Sequence, residues 1–207
     1  MIFSIIVPVF NEEKTILKIL NTLNNLSFLK FKKEIIVVDD GSTDSTRNIL
    51  NQNKSLYSSL YFNEKNMGKG AAVKLGLKNC KGDYVVFQDA DLEYDPNDLI
   101  KFEEVFLKFN ADGVIGSRFN YDKYTRSHSI MNKIGNYILT LLFNILYNTT
   151  FTDIYSCYFA FNKKLINFNN LKVDGFAQHA EILCKVIKSG SRFYEVPINY
   201  NGRNIAE

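Results

Sequence analysis

Two carboxylates one residue apart close the apolar run Val85-Val86-Phe87-Gln88-Asp89-Ala90-Asp91. A short run rich in β-branched and aromatic residues predicts a strand, which then delivers both acids to its C-terminal tip. In open α/β sheets that tip is where ligands sit. There the chain turns, and Asp89 and Asp91 can converge on one divalent cation that keeps positions free for phosphate oxygens. An isolated Asp-x-Asp is otherwise only an acidic turn, so its surroundings decide.

Those surroundings repeat one unit. Phe3 to Val9 reads as a strand, Asn11-Glu12-Glu13 as a loop, and Ile16, Leu17, Leu20 and Leu23 fall at helical spacing. Glu34 to Val38 is a near-continuous apolar strand, the kind buried on both faces of a parallel sheet. It ends in Asp39-Asp40-Gly41-Ser42-Thr43-Asp44, where Ser42, Thr43 or Asp44 can cap the next helix. A strand at Leu60 to Phe62 leads to Asn66-Met67-Gly68-Lys69-Gly70 and a helix from about Ala71 to Asn79. After the acidic strand, Asp95-Pro96-Asn97 opens a helix to about Phe109, and 112–117 is a further strand. This alternation predicts an α/β single domain with a mostly parallel sheet and right-handed crossovers. Parallel strands share one carboxyl edge, so Glu12, Asp39, Asp40, Asp89 and Asp91 should gather in one crevice, tolerable only if a cation or hydrogen-bond donors offset their charge. Arg118, also at a strand end, is either the partner of these acids or a clamp for a diphosphate. Gly68-Lys69-Gly70 fits neither a phosphate-binding P-loop nor a dinucleotide fingerprint: Asn63, Gly70 and Val73 stand where those motifs need other residues. It remains a loop opening a helix, whose free N–H groups meet a phosphate or water.

The bulk numbers agree with one enzyme-sized domain. The chain has 207 residues, 46% of them hydrophobic, enough for a substantial core. A formal charge of +3 is too mild for a nucleic-acid binder. Three widely spaced cysteines, Cys80, Cys157 and Cys184, suit free thiols in a reducing compartment, and the chain reads as cytoplasmic. The N-terminus lacks the features of a signal peptide, and no apolar run approaches the roughly 20 residues of a membrane span.

Beyond Arg118 the pattern changes. From about Ile130 to Asn148, Asn136, Thr140 and Asn144 form a narrow polar stripe and apolar residues cover nearly all the rest. One side can lie on the sheet; the remainder needs a partner subunit, a bilayer interface aided by Lys123, Arg126 and Lys133, or burial as a core helix. Ile154 to Phe161 reads as a strand, Ala177 to Lys188 as a helix carrying Glu181, and Arg192 to Ile198 as a last strand. His128 and His179 are isolated, which argues against zinc.

The motifs Ile5-Ile6-Val7-Pro8-Val9-Phe10-Asn11-Glu12, Ile36-Val37-Val38-Asp39-Asp40-Gly41-Ser42-Thr43-Asp44, Asn66-x-Gly68-Lys69-Gly70 and Asp89-Ala90-Asp91-Leu92-Glu93-x-x-Pro96 resemble the inverting family 2 glycosyltransferases. The likeness extends through Gly116-Ser117-Arg118, Thr152-Asp153, Cys157-Tyr158 and Glu195-Val196-Pro197-Ile198, over almost the whole chain, and is nearest to polyprenyl (dolichyl) phosphate mannosyl- or glucosyltransferases. It implies a GT-A, Rossmann-like fold with a nucleotide-sugar half at 1–118 and an acceptor half at 119–207. It also implies transfer of a hexose from a GDP- or UDP-sugar to a lipid phosphate at the cytoplasmic membrane face. Pro8, Phe10, Glu12, Val38 and Asp40 would surround the base and ribose, with Lys69 and Ala90 also on the donor. Asp89, Asp91 and Glu93 would hold Mg2+ or Mn2+, and Arg118 and Arg203 would contact the diphosphate. A hydroxyl acceptor would instead require a base, for which Glu181 or Asp153 are candidates. A non-catalytic sugar-nucleotide-binding subunit is the remaining alternative. His179 stands where relatives tend to carry Asp, and Phe159 where Arg or Lys is frequent.

Overall fold

The computed structural model describes residues 1–119, 130–175 and 177–202. Four strands, β1 (Ile2–Val9), β2 (Lys32–Asp39), β3 (Ser59–Phe62) and β4 (Tyr84–Phe87), pair in parallel in the order β3-β2-β1-β4. Their apolar content explains the pairing. β4 is buried throughout and β1 nearly so, as strands covered on both faces must be. The crossovers are α1 (Ile16–Asn25), α2 (Thr46–Gln52) and α3 (Lys69–Asn79). α1 buries Ile16, Ile19, Leu20 and Leu23, the stripe its spacing implies. α3 lies close on β1, where a Cβ on Gly76 would come within 2.5 Å of Ile6 Cγ2.

After β4, Asp95 accepts a hydrogen bond from the Asn97 N–H (3.0 Å) ahead of Pro96, and α4 (Leu99–Phe109) follows. The sheet then continues as β4-β6-β5-β7 through β5 (Gly113–Ser117), β6 (Phe159–Asn162) and β7 (Phe193–Pro197). β6 is antiparallel to both neighbours, so the seven-stranded sheet is mostly parallel. Helices α5 (Ile130–Tyr147) and α6 (Gln178–Ser189) complete the domain. The α/β class and the element order are those expected.

One strand is shorter than its sequence suggests. Ile154 to Tyr158 is not extended into the sheet, because its N–H groups find side chains: Ile154 donates to Thr140 Oγ1, Cys157 to the Tyr94 hydroxyl (3.1 Å) and Tyr158 to Ser156 Oγ. The apolar run was a strand signal; hydroxyls from Thr140 and Tyr94 on other elements, with the local Ser156, outcompeted it.

A buried carboxylate holds the other end of the core. Glu103 of α4 is fully buried and accepts N–H bonds from Leu29, Lys30 and Phe31, each at 2.7 Å. It thereby fixes Phe31 in an aromatic cluster with Phe3, Tyr84 and Phe106. Glu103→Ala strands three donors, and urea unfolding should show a loss of about 2–4 kcal/mol, with the distant carboxyl edge of the sheet unaffected in ligand binding.

Candidate active site

At the carboxyl edge of β1, β2 and β4 lies a crevice of about 380 Å³ lined by Pro8, Phe10, Glu12, Asp40, Lys69, Asp89, Ala90 and Asp91 together with Val9, Asn66, Gly68 and Ala72. Loop geometry builds it. Asn11 adopts a left-handed conformation (φ 53°), receives the Thr43 N–H on Oδ1 (2.8 Å) and donates its own N–H to Ser42 Oγ. Glu12 is steadied by the Thr15 hydroxyl at 2.6 Å, and Asp44, one residue before the Ser45 N-cap position of α2, accepts from Thr46 N (2.9 Å).

Asp40 organises the opposite wall. Its carboxylate accepts from Asn63 Nδ2 (2.6 Å), Met67 N (3.1 Å) and Gly68 N (2.8 Å), folding the Asn66–Gly68 loop over the mouth of the crevice. Gly68 has φ 89°, and a Cβ on Gly70 would fall 2.3 Å from the Asp174 carbonyl, so both positions require glycine. Asp39 departs from the expectation. It is fully buried and faces away, paired with Arg47 Nε (2.8 Å) and the Ser42 N–H, while Arg47 covers Phe62. Val38 departs too. Its side chain is fully buried in β2 and does not line the crevice.

On the β4 side, Asp89 forms an ion pair with Lys69, whose Nζ also donates to Cys157 Sγ at 3.1 Å. Burial opposes the ammonium, but the neighbouring Cys157 and Asp89 hold its pKa above the ordinary lysine value. Burial pushes the Cys157 thiol up to about 12, with Asp89 adding to the rise and the Lys69 charge opposing it. All three cysteines are free, as expected. Asp91 closes a tight turn: it accepts the Glu93 N–H (3.0 Å) around Leu92, which is held at φ 66°. A non-glycine residue in that region stores strain, a frequent mark of ligand sites.

The metal expectation fits in part. Asp89 and Asp91 line one crevice and supply two carboxylates, a donor set suited to a hard cation that keeps positions for diphosphate oxygens. The third expected ligand, Glu93, borders a neighbouring groove with Lys18, Tyr94 and Asn201, and its Oε2 accepts from the Tyr200 hydroxyl at 2.7 Å. Among the described residues no group of three His, Cys, Asp or Glu is set to hold a metal.

Arg118 answers a different acid from those of the crevice. Nε and Nη2 make a bidentate pair with fully buried Asp153 (2.7 and 2.8 Å), and the Arg118 N–H adds a third bond at 3.1 Å. Asn136 of α5 also donates to Asp153 (3.1 Å). The guanidinium stacks over Tyr200 and lines a small cavity of about 100 Å³ with Phe119, Asn132, Lys133 and Asn136. Asp153, one candidate base, is therefore committed to Arg118. Glu181, the other, accepts from the Lys172 and Val173 N–H groups and pairs with Lys185 (3.1 Å), outside the crevice lining. Arg203, His128, Lys123 and Arg126 lie outside the described residues. Tyr200 reaches these sites from a distant sequence position that no motif marked, while Cys157 and Lys133 were marked by the resemblance and by the α5 reading without being tied to Lys69 or to Arg118.

α5 is turned inside out relative to a soluble amphipathic helix. Its polar stripe faces the domain: Asn136 meets Asp153, Thr140 accepts from Ile154 N, and Asn144 donates to the Phe151 carbonyl (2.8 Å). Its apolar side faces out, with Met131 70%, Ile138 50%, Leu142 52% and Leu146 78% exposed. The core-helix alternative is thereby excluded. No helix among the described residues is long and apolar enough to cross a membrane.

Residues 4–168 match the model of the family described as Glycosyl transferase family 2. An uncharacterized protein of Methanocaldococcus jannaschii is 32% identical over 97% of this chain and 90% of its own length. A UDP-N-acetylglucosamine–dolichyl-phosphate N-acetylglucosaminyltransferase of Methanococcus voltae is 29% identical over 94% of this chain and 83% of its own. Among solved structures, glucosyl-3-phosphoglycerate synthase from Mycobacterium tuberculosis, in complex with Mn2+, UDP and glucosyl-3-phosphoglycerate, superposes with a TM-score of 0.70 at 20% identity, covering 99% of this chain and 73% of that one.

His179 gives the site a measurable pH signature. Its ring packs edge-on to Phe159, with Nε2 3.3 Å from the Ile154 carbonyl, and burial followed by the Lys69 charge lowers its pKa to about 4. The unfolded chain, with an ordinary histidine, takes up a proton that the folded one refuses, so stability is full above about pH 6.5 and falls as pH drops toward 4. Urea midpoints measured between pH 7 and 5, above most carboxylate titration, should decline for the parent and be flatter for His179→Leu.

Proposed function

The chain belongs to glycosyl transferase family 2 and is a glycosyltransferase, and within that family we propose that it transfers a sugar from a UDP-sugar to a polyprenyl phosphate at a membrane face. The observation that carries this reading is the outward apolar face of α5 beside the cavity of Arg118 and Lys133. A lipid phosphate needs an apolar surface for its chain and positive charge for its head group, side by side, and with Arg118 paired to Asp153 that charge is supplied by Lys133. The activity that the Methanococcus voltae relative is named for supports the acceptor and the base.

The division of labour follows the chain. Residues 1–118 would hold the donor: Pro8, Phe10, Glu12, Asp40 and Lys69 line the crevice, the first four offered to the nucleoside and Lys69 to the diphosphate. Asp89 and Asp91 would hold Mg2+ or Mn2+, which when bound supplies positive charge to the departing diphosphate. The Mn2+ and UDP of the mycobacterial synthase are in keeping with this. The remaining segment, 119–207, presents the acceptor. A phosphate acceptor is already an anion, so in-line attack with inversion at the sugar carbon requires no strong base. The engagement of both candidate bases, Asp153 and Glu181, by other groups favours this acceptor over a glycan hydroxyl. Loss of a catalytic base does not make the chain a mere binding subunit when the nucleophile arrives charged.

For α5 the proposed occupant of the exposed face is an anionic lipid surface. The helix carries no acid, and Lys133 and Lys188 lie against its surroundings over Phe119 and Tyr147.

With Mn2+, a panel of UDP-sugars and polyprenyl phosphate, the protein should form a glycolipid, and Asp91→Ala should lower turnover by about a hundredfold or more; full activity in that variant overturns the donor site. In flotation with vesicles containing anionic lipid, the parent should rise with the membrane and Ile138→Glu/Leu142→Glu should stay behind. A stable dimer that ignores vesicles would instead assign the face to a second copy.

A further inference from the structure

The crevice contains an ammonium where its acids need a metal. Lys69 Nζ contacts Asp89 Oδ1, and the two side chains are only 29% and 17% exposed, so solvent screens the pair weakly. Lys69 is the first residue of α3 and lines the same crevice as Asp91, Asn66 and Gly68. Its other contact is Cys157, to whose Sγ the ammonium donates at 3.1 Å. No third metal-binding side chain joins Asp89 and Asp91 among the described residues.

We infer that Lys69 is an internal counterion of Asp89 that keeps the divalent cation out until a nucleoside diphosphate brings it in. This rests on the transferase reading above and adds an order of binding to it. A divalent ion placed beside the same carboxylate would be repelled by the ammonium at close range, and two carboxylates alone hold such an ion weakly. A diphosphate changes both terms. Its oxygens would add to the donor set of Asp89 and Asp91, and its charge would offer Lys69 a second partner within the crevice, freeing Asp89 for the ion. Lys69 is thus a positioning residue: it moves from protein carboxylate to donor phosphate, and it suppresses metal binding in the absence of donor.

The test is Mn2+ binding followed by the electron paramagnetic resonance signal of free Mn2+, with and without UDP, on the parent, Lys69→Met and Lys69→Arg. The parent should bind Mn2+ poorly alone and at least tenfold more tightly with UDP. Lys69→Met should bind Mn2+ alone about tenfold more tightly than the parent, with a smaller gain from UDP, and Lys69→Arg should keep the parent pattern. Equal or weaker binding of Mn2+ alone by Lys69→Met, with circular dichroism and urea midpoint showing a folded protein, overturns the counterion. If Lys69→Met fails to fold, Lys69→Gln is read by the same criteria. A parent that takes up Mn2+ equally with and without UDP overturns the binding order alone. A parent that binds neither UDP nor Mn2+ overturns the proposed metal-dependent UDP-sugar donor site itself.

Discussion

Like charges cannot crowd the edge of a sheet without partners, and the crevice follows from how this one supplies them. Parallel pairing of β1, β2 and β4 brings Glu12, Asp40, Asp89 and Asp91 to one rim. Each is answered by a neighbouring element: Glu12 by Thr15, Asp40 by Asn63 and the Met67 and Gly68 N–H groups, Asp89 by Lys69, Asp91 by the Glu93 N–H. The loops are therefore shaped by the acids as much as the acids are placed by the strands. A carboxylate that accepts several N–H bonds fixes backbone far more tightly than a surface ion pair does.

Much of this was legible in the sequence because its causes are local. Apolar runs ending in acids, helical spacing and the Asp95-Pro96 start each act over a few residues, and apart from β6 and the start of α4 the elements with stated bounds appear within two residues of them. What the sequence hid depends on contacts across distance. Asp39 and Asp40 are adjacent and chemically identical, yet one turns inward because Arg47 is within reach and the other faces the crevice because the Asn66–Gly68 loop needs an acceptor. Lys69 and Cys157 are 88 residues apart, and no periodicity links them. The shortening of β6 has the same origin, since the Thr140 and Tyr94 hydroxyls that draw off its N–H groups come from other elements.

α5 shows how a correct pattern can leave its orientation open. The stripe Asn136, Thr140 and Asn144 was visible, but periodicity does not say which side faces in. The answer came from supply. The segment 151–154 ends in buried polar groups, Asp153 among them, that must be satisfied away from water, and α5 provides the side chains. Turning the polar side inward satisfies those groups and leaves the apolar side to an outside surface, an arrangement stable only where such a surface exists or where exposure is tolerated.

The buried pair of Arg118 and Asp153 carries this logic into the second half of the fold. A guanidinium lining a cavity without a counter-charge would be costly to desolvate, and a carboxylate buried without one still more so. Together they hold Arg118 with its face against Tyr200. Asp153 already balances that charge, so the positive character of the small cavity falls to Lys133, on the helix whose apolar side faces out. Tyr200 in turn donates to Glu93, beside the turn that positions Asp91. One tyrosine thus stands between the arginine cavity and the acidic turn. Any shift of the segment from Ile198 to Asn201, which is tied to Ser117, Asp98 and Glu93, must move both together.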